Sequence, residues 1–196
     1  RFQVKGSRPN MPQLLEGLGN PWPSPKFARH NLGSLVGEAL AEELGLQWEW
    51  RWRCWSWLAK GQGSPDGSEL FIVIPATFYN LSGWAVHQVL QTFEIDPGDV
   101  VVLHDDIDLE PLAWALQSSE SDGGNRGVRS VLNTVGIVRR LRLGVGRPES
   151  RSPASVAAYV LGSIESSLLQ RWQSAAANGE VLQILSTLAE GSKRKR

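Results

Sequence analysis

The sequence predicts a single α/β domain. Three observations carry this: apolar strand-like runs alternate with amphipathic helical segments, no internal repeat is visible, and 196 residues suit one hydrophobic core. A chain of this kind covers its sheet with helices. The predicted boundaries are a flexible N-terminal arm at 1–12, the domain at 13–190 and a basic C-terminal tail at 191–196.

The arm is polar and contains Gly and Pro. Residues 13–18 then form a short first strand, LLEGL, running into GNPWPSP, where Pro21, Pro23 and Pro25 exclude a helix. Asn31 is placed to cap the next helix. Leu32, Leu35, Val36, Ala39, Leu40 and Leu44 recur there at helical spacing, with Gly45 as a stop. Residues 48–60 alternate Trp48, Trp50 and Trp52 with Glu49, Arg51 and Arg53, which reads as one strand with an aromatic face. GQGSPDGSE is a loop, and 69–76 a second strong strand. Residues 81–95 read as a helix with Ala85, Val89 and Phe93 inward. DPGD makes a turn before the apolar strand 100–105, which ends in charge. A short strand at 112–116 follows, then a glycine-rich loop, SSESDGGNRG, whose glycines permit tight turns. VRSVLNTV suggests a helix and RRLRLGVG a strand. The remainder is loop plus helix to Gly162 and terminal helical structure beyond it.

Composition excludes several classes. Cys54 is the only cysteine, so neither an intrachain disulfide nor a multi-cysteine metal site is available. No apolar run reaches the length of a membrane span. The formal net charge is zero, although Arg139, Arg140, Arg142, Arg147 and Arg151 cluster and the chain ends KRKR, patterns that suit phosphate. An intracellular location is expected, cytoplasmic or organellar, mitochondrial included.

Four polar residues share a placement. Asn20 follows the first strand, His30 stands at a helix entrance, Asn80 lies between a strand and its helix, and Asp105 closes a strand. Sites on α/β sheets are commonly built at such positions. A neutral imidazole can take a proton from water near physiological pH, and an aspartate on its other nitrogen fixes the tautomer. Asp105 is therefore an attractive partner for His30. No serine or cysteine is tied to the pair by a motif, so water is the simpler nucleophile. Amides on Asn20 and Asn80 can place that water or hold a carbonyl. The blander reading makes His30 a local backbone partner, Asp105 a solvated strand end and Asn80 a helix cap.

His104, Asp105, Asp106 and Asp108 invite a metal reading. Adjacent strand residues point to opposite faces, so His104 and Asp105 do not readily share an ion, and no metal is expected. GLGNP lacks the spacing of a dinucleotide fingerprint. His87 sits on no motif. The tryptophan face can stack bases, but packing or a protein partner is the simpler use. G-x-S-x-G is absent, which argues against an α/β-hydrolase nucleophile.

The motifs GLGNP at 17–21, RHNLG at 29–33, TFYNLSG at 77–83 and HDDIDL at 104–109 are followed in order by GVRS at 127–130, RLRLGVGRP at 140–148 and YVLG at 159–162. Together they resemble the bacterial-type peptidyl-tRNA hydrolase family over roughly residues 13 to 185. The resemblance implies a three-layer sandwich with a mixed, twisted sheet between helices. It implies cleavage of the ester joining a peptide to the terminal ribose of tRNA, without metal or organic cofactor. His30 is then the general base, Asp105 its orienting carboxylate, and Asn20 an amide near the catalytic centre. Asn80 is the residue that holds the substrate peptide. Tyr79 falls where the family usually has a methionine lining the peptide channel. Arg142 and Arg147 retain a basic pattern suited to tRNA.

The chain departs from the family at GNRG, 124–127. Asn125 stands for the usual histidine and Arg126 for an asparagine that positions substrate; arginine cannot accept a hydrogen bond. Gln117 replaces a usual lysine, and Glu120 and Asp122 add negative charge. Two readings follow: a peptidyl-tRNA hydrolase acting on peptidyl-tRNA, or a catalytically weak or inactive relative. The second would act as an RNA-binding or ribonucleoprotein assembly factor on structured RNA, with a protein partner on the Trp-rich strand.

Overall fold

The computed structural model describes residues 14–21, 23–63 and 69–191. The N-terminal arm and the KRKR tail lie outside the described residues. Seven strands form one sheet: β1 (Leu14–Gly17), β2 (Trp48–Arg51), β3 (Ser56–Gln62), β4 (Glu69–Pro75), β5 (Val100–Asp106), β6 (Trp114–Ser118) and β7 (Arg139–Gly144). Their order is β2-β3-β4-β1-β5-β7-β6. The inner pairs β4–β1, β1–β5 and β5–β7 are parallel. The outer pairs β2–β3, β3–β4 and β6–β7 are antiparallel, so the sheet is mixed.

Among the described residues, six α-helices pack with the sheet: α1 (Leu32–Glu43), α2 (Ser82–Phe93), α3 (Arg126–Val135), α4 (Pro153–Leu161), α5 (Ser166–Ala177) and α6 (Glu180–Gly191). Strand side chains alternate between faces. Leu15, Val101, Leu103 and Leu141 meet Leu32, Val36 and Leu40 of α1, with Trp172 of α5 and Leu185 of α6. Leu14, Val73, Val100 and Val102 meet Val86 and Val89 of α2, with Val128 and Val131 of α3. Helices therefore cover both faces, and the three-layer α/β sandwich expected from the sequence is present.

Three local expectations need correction. Residues 48–60 form a hairpin, not one strand: β2 and β3 are antiparallel, and Trp50 pairs with Trp57 across them. The chain reverses through 52–55, with Trp55 in the left-handed region at φ 48°. The face is aromatic as expected, but it is made by Trp50, Trp55 and Trp57 in edge-to-face contact and is partly exposed. The strand expected at 112–116 starts at Trp114, because Leu112 takes φ 70° in a turn. Asn31 is the N-cap residue of α1, as expected, but its side chain makes no capping hydrogen bond. Its side chain leaves the helix and binds the GNPWPSP loop.

Candidate active site

The RHNLG segment brings α1 hard against the sheet. A Cβ on Gly33 would lie 2.1 Å from the Leu103 carbonyl oxygen, and one on Gly17 would lie 2.7 Å from the Gly33 oxygen. The helix backbone thus packs directly on β1 and β5. Ser34 N–H donates to the Leu18 carbonyl at 3.0 Å, and Leu18 N–H to that of Leu103 at 3.0 Å. This contact seats residues 29–31, a short 3₁₀ turn, beside the end of β5.

His30 meets Asp105 there. Its Nδ1 lies 2.8 Å from Oδ1 and 2.9 Å from Oδ2 of the carboxylate. An ionised carboxylate only accepts, so Nδ1 carries the proton and Nε2 keeps its lone pair. The Asp105 side chain is 2 % exposed and that of His30 17 %, so the imidazole reaches solvent and its partner does not. Arg29 anchors the same turn: Nη1 donates to the Tyr159 carbonyl at 3.0 Å, Nη2 pairs with Glu165, and the guanidinium lies over the Tyr159 ring.

Asn20 sits on the loop after β1. Its side-chain oxygen accepts the Tyr79 N–H at 3.1 Å, which fixes the amide and leaves Nδ2 as a donor. Asn31 braces that loop. Its Oδ1 accepts the Asn20 N–H at 2.7 Å, and its Nδ2 donates to the carbonyls of Pro25 and Lys26, both at 3.1 Å.

Tyr79 is buried, with its ring stacked on His30 at 4.1 Å between centroids and 14° between planes. Its hydroxyl donates to Asp105 Oδ1 at 3.0 Å. Burial, then the charge of Asp105, pushes the phenol well above its usual range, so it stays a neutral donor. Asn125 is the N-cap of α3. Its Oδ1 accepts the N–H groups of Gly127 and Val128 at 3.0 Å, and its Nδ2 donates to the Tyr79 hydroxyl at 3.0 Å.

These groups open on a cavity of about 540 Å³. Asn20, His30, Tyr79, Asn80, Asp105, Asn125 and Arg126 all line it, opposite an apolar wall of Val156, Ala157 and Val160 from α4. Seven of the nine residues marked by the sequence therefore converge. Arg142 and Arg147 are not among the lining residues: Arg142 Nε donates to Asp106 at 2.7 Å, and Arg147 pairs with Asp108. Asp122 also lines the cavity, but a hydrogen bond from Arg129 holds its carboxyl below the usual range. Among the described residues, no group of three or more His, Cys, Asp or Glu side chains is arranged to hold a metal ion.

The peptidyl-tRNA hydrolase family model matches residues 14–195. The chain belongs to the peptidyl-tRNA hydrolase family. A family member from Caulobacter vibrioides (strain NA1000 / CB15N), named peptidyl-tRNA hydrolase, is 42% identical over 159 residues, covering 76% of this chain and 73% of its own. One from Synechococcus sp. (strain JA-3-3Ab) is 39% identical over 155 residues, covering 78% and 67%. The crystal structure of the peptidyl-tRNA hydrolase from Acinetobacter baumannii superposes with a TM-score of 0.77 at 27% identity, covering 94% of this chain and 97% of that one. The family assignment expected from the motifs thus stands, and so does the fold.

Two features were not singled out in the sequence. Glu16 was read only as part of the first strand. It is fully buried on β1, with neither carboxylate oxygen hydrogen-bonded among the described residues, and burial raises its carboxyl well above the usual range. An acid between Leu15 and Gly17 in an apolar strand was a visible signal. The link from Asn125 through Tyr79 to Asp105 joins residues far apart in sequence and left no local signal.

Proposed function

We propose that this chain hydrolyses the ester between the peptide and the tRNA of peptidyl-tRNA, with His30 as general base. The observation that carries the reading is the His30–Asp105 pair, 2.8 Å apart and opening on a cavity lined with amides. Membership of the family supports it at the level of the reaction.

The chemistry follows from the geometry. His30 Nε2 removes a proton from water, and the hydroxide oxygen attacks the ester carbonyl carbon. Asp105 holds the ring in the tautomer that makes Nε2 basic, and stabilises the imidazolium that forms. The Asn20 Nδ2 donor offers neutral stabilisation to the tetrahedral oxyanion. The bond to the ribose oxygen breaks, and the imidazolium returns its proton to that oxygen. Asn80, Tyr79, Asn125 and Arg126 border the space for the peptide and its ester, while the Val156/Val160 wall suits apolar side chains. Arg142 and Arg147 are the proposed tRNA contacts, and phosphates would have to compete there with Asp106 and Asp108. Neither the role of an RNA assembly factor, nor a protein partner on the Trp-rich hairpin, nor a mitochondrial location is needed for this chemistry.

Purified protein and peptidyl-tRNA test the reading directly. Replacing His30 by Ala is expected to lower kcat by about 10²- to 10⁴-fold while the circular dichroism spectrum is kept. Absence of cleavage by the folded wild-type protein across a range of salt concentrations would overturn it.

A further inference from the structure

We propose that Tyr79 is a positioning residue of the dyad: its hydroxyl, aimed by Asn125, shares Asp105 with His30 and so sets the pH at which the imidazole accepts a proton. The inference rests on the reading of His30 as the base and concerns how that base is tuned.

The geometry is specific. Asp105 Oδ1 accepts both His30 Nδ1 at 2.8 Å and the Tyr79 hydroxyl at 3.0 Å. A carboxylate oxygen that takes a second hydrogen bond has less charge left to stabilise an imidazolium. The hydroxyl cannot turn away easily, because Asn125 Nδ2 occupies it as a donor at 3.0 Å. Asn125 cannot flip either. Its oxygen is committed to the N–H groups of Gly127 and Val128 at the start of α3, so the amide nitrogen must face the phenol. Gly127 makes room for the ring: a Cβ there would lie 2.6 Å from Tyr79 Cε1.

Tyr79 acts on His30 in two opposing ways. The stacked ring presents its negative face to the imidazole, which favours a cation. The hydroxyl draws charge from Asp105, which disfavours it. Tyr79→Phe removes the second effect and keeps the first, so the two can be separated. The other ionisable groups around the network include Glu16 on β1, His104 and Asp106 on β5, Arg140 on β7, Asp122 before α3 and Arg126 at its start. None of these side chains takes the place of the phenol on Asp105 Oδ1 among the described residues.

The pH dependence of kcat/KM tests this. In Tyr79→Phe the acidic limb is expected to move to higher pH by about half a unit to one unit. The loss relative to wild type is then greatest on that limb and shrinks toward the alkaline side. Asn125→Ser keeps a capping oxygen but loses the amide N–H that donates to the phenol. It is expected to shift the limb in the same direction by less, and to add nothing in the Tyr79→Phe background. Fluorotyrosine at position 79, a more acidic phenol and stronger donor, is expected to move the limb to lower pH. It changes the volume little, so it carries the test if Tyr79→Phe does not fold. The same shifts are read without substrate from an NMR titration of the His30 ring, which remains measurable even if the protein cleaves no ester. A limb and ring titration unmoved in folded Tyr79→Phe or fluorotyrosine protein, or an equal loss at every pH, would overturn the proposal.

Discussion

Asp105 and Glu16 are both buried carboxylic acids on adjacent strands of one sheet, yet their surroundings treat them in opposite ways. Asp105 lies toward the C-terminal end of β5, where an imidazole and a phenol reach it from other parts of the chain. Glu16 lies within β1, opposite Val73 on β4 and Val102 on β5. Leu14 and Leu18, two residues to either side, sit in the core under α2 and α3. The difference is one of depth in the sheet: each acid is the last residue but one of its strand, but Glu16 pairs with Val102, three residues before Asp105. Side chains from loops and helix entrances converge at the far ends of the longer strands, whereas deeper neighbours are other strands and covering helices. The first acid is met by two hydrogen-bond donors, and the second is held neutral by burial.

Substitutions at the two acids sharpen this contrast, beginning with the largest effect. Asp105→Asn removes the negative charge that stabilises an imidazolium, and its amide can turn a donor nitrogen toward His30 Nδ1. The imidazole loses its fixed tautomer, and kcat for peptidyl-tRNA cleavage is expected to fall by about 10²- to 10⁴-fold with the fold retained. An active Asp105→Asn enzyme would erase the functional half of the comparison.

Glu16→Leu should act the other way. It replaces a buried acid that has no hydrogen-bond partner among the described residues by an apolar group of similar size, and is expected to raise stability at neutral pH by about 1 to 3 kcal/mol in urea unfolding. The pH dependence has a definite sign. With the folded carboxyl raised above its ordinary value of 4.5, the unfolded chain gives up the proton first as pH rises. The folded state then binds more protons, so wild-type stability declines from pH 4.5 upward, by up to about 1.4 kcal/mol per pH unit. Glu16→Leu removes that part of the decline. A variant less stable than wild type at pH 7 would show that Glu16 has a partner after all.

Arg147 supplies the limiting case, a charge that is paired but solvated. Its pair with Asp108 joins two side chains exposed by 41% and 43%. Arg147→Ala is expected to change stability by less than about 1 kcal/mol. If tRNA phosphate binds there, KM for peptidyl-tRNA rises modestly, and the slope of log affinity against log salt drops by about one.

Much of this molecule was readable in one dimension. The strands at 69–75 and 100–106 and the helices at 32–43 and 82–93 follow apolar periodicities that survive packing unchanged. The tryptophan hairpin was not, because its turn at 52–55 holds Trp, Arg, Cys and Trp, with none of the Gly, Pro, Asn or Asp residues that announce a reversal. Asn31 carried a correct local signal for a helix start, but the amide makes more hydrogen bonds to the loop of Asn20 than a cap would offer.

By itself the sequence determined the α/β class, the helix and strand periods and the motif-borne family membership, since each depends on residues near one another in the chain. Only the tertiary structure decided that Asn125 grips Tyr79, that Tyr79 shares Asp105 with His30, and that Glu16 is left without such company. Hydrogen bonds across 46, 26 and 75 residues have no signature in local spacing. They arise because glycine-permitted backbone contact at Gly33 and Gly17 draws a helix entrance onto a strand end, and directional polar groups bind whatever that approach presents.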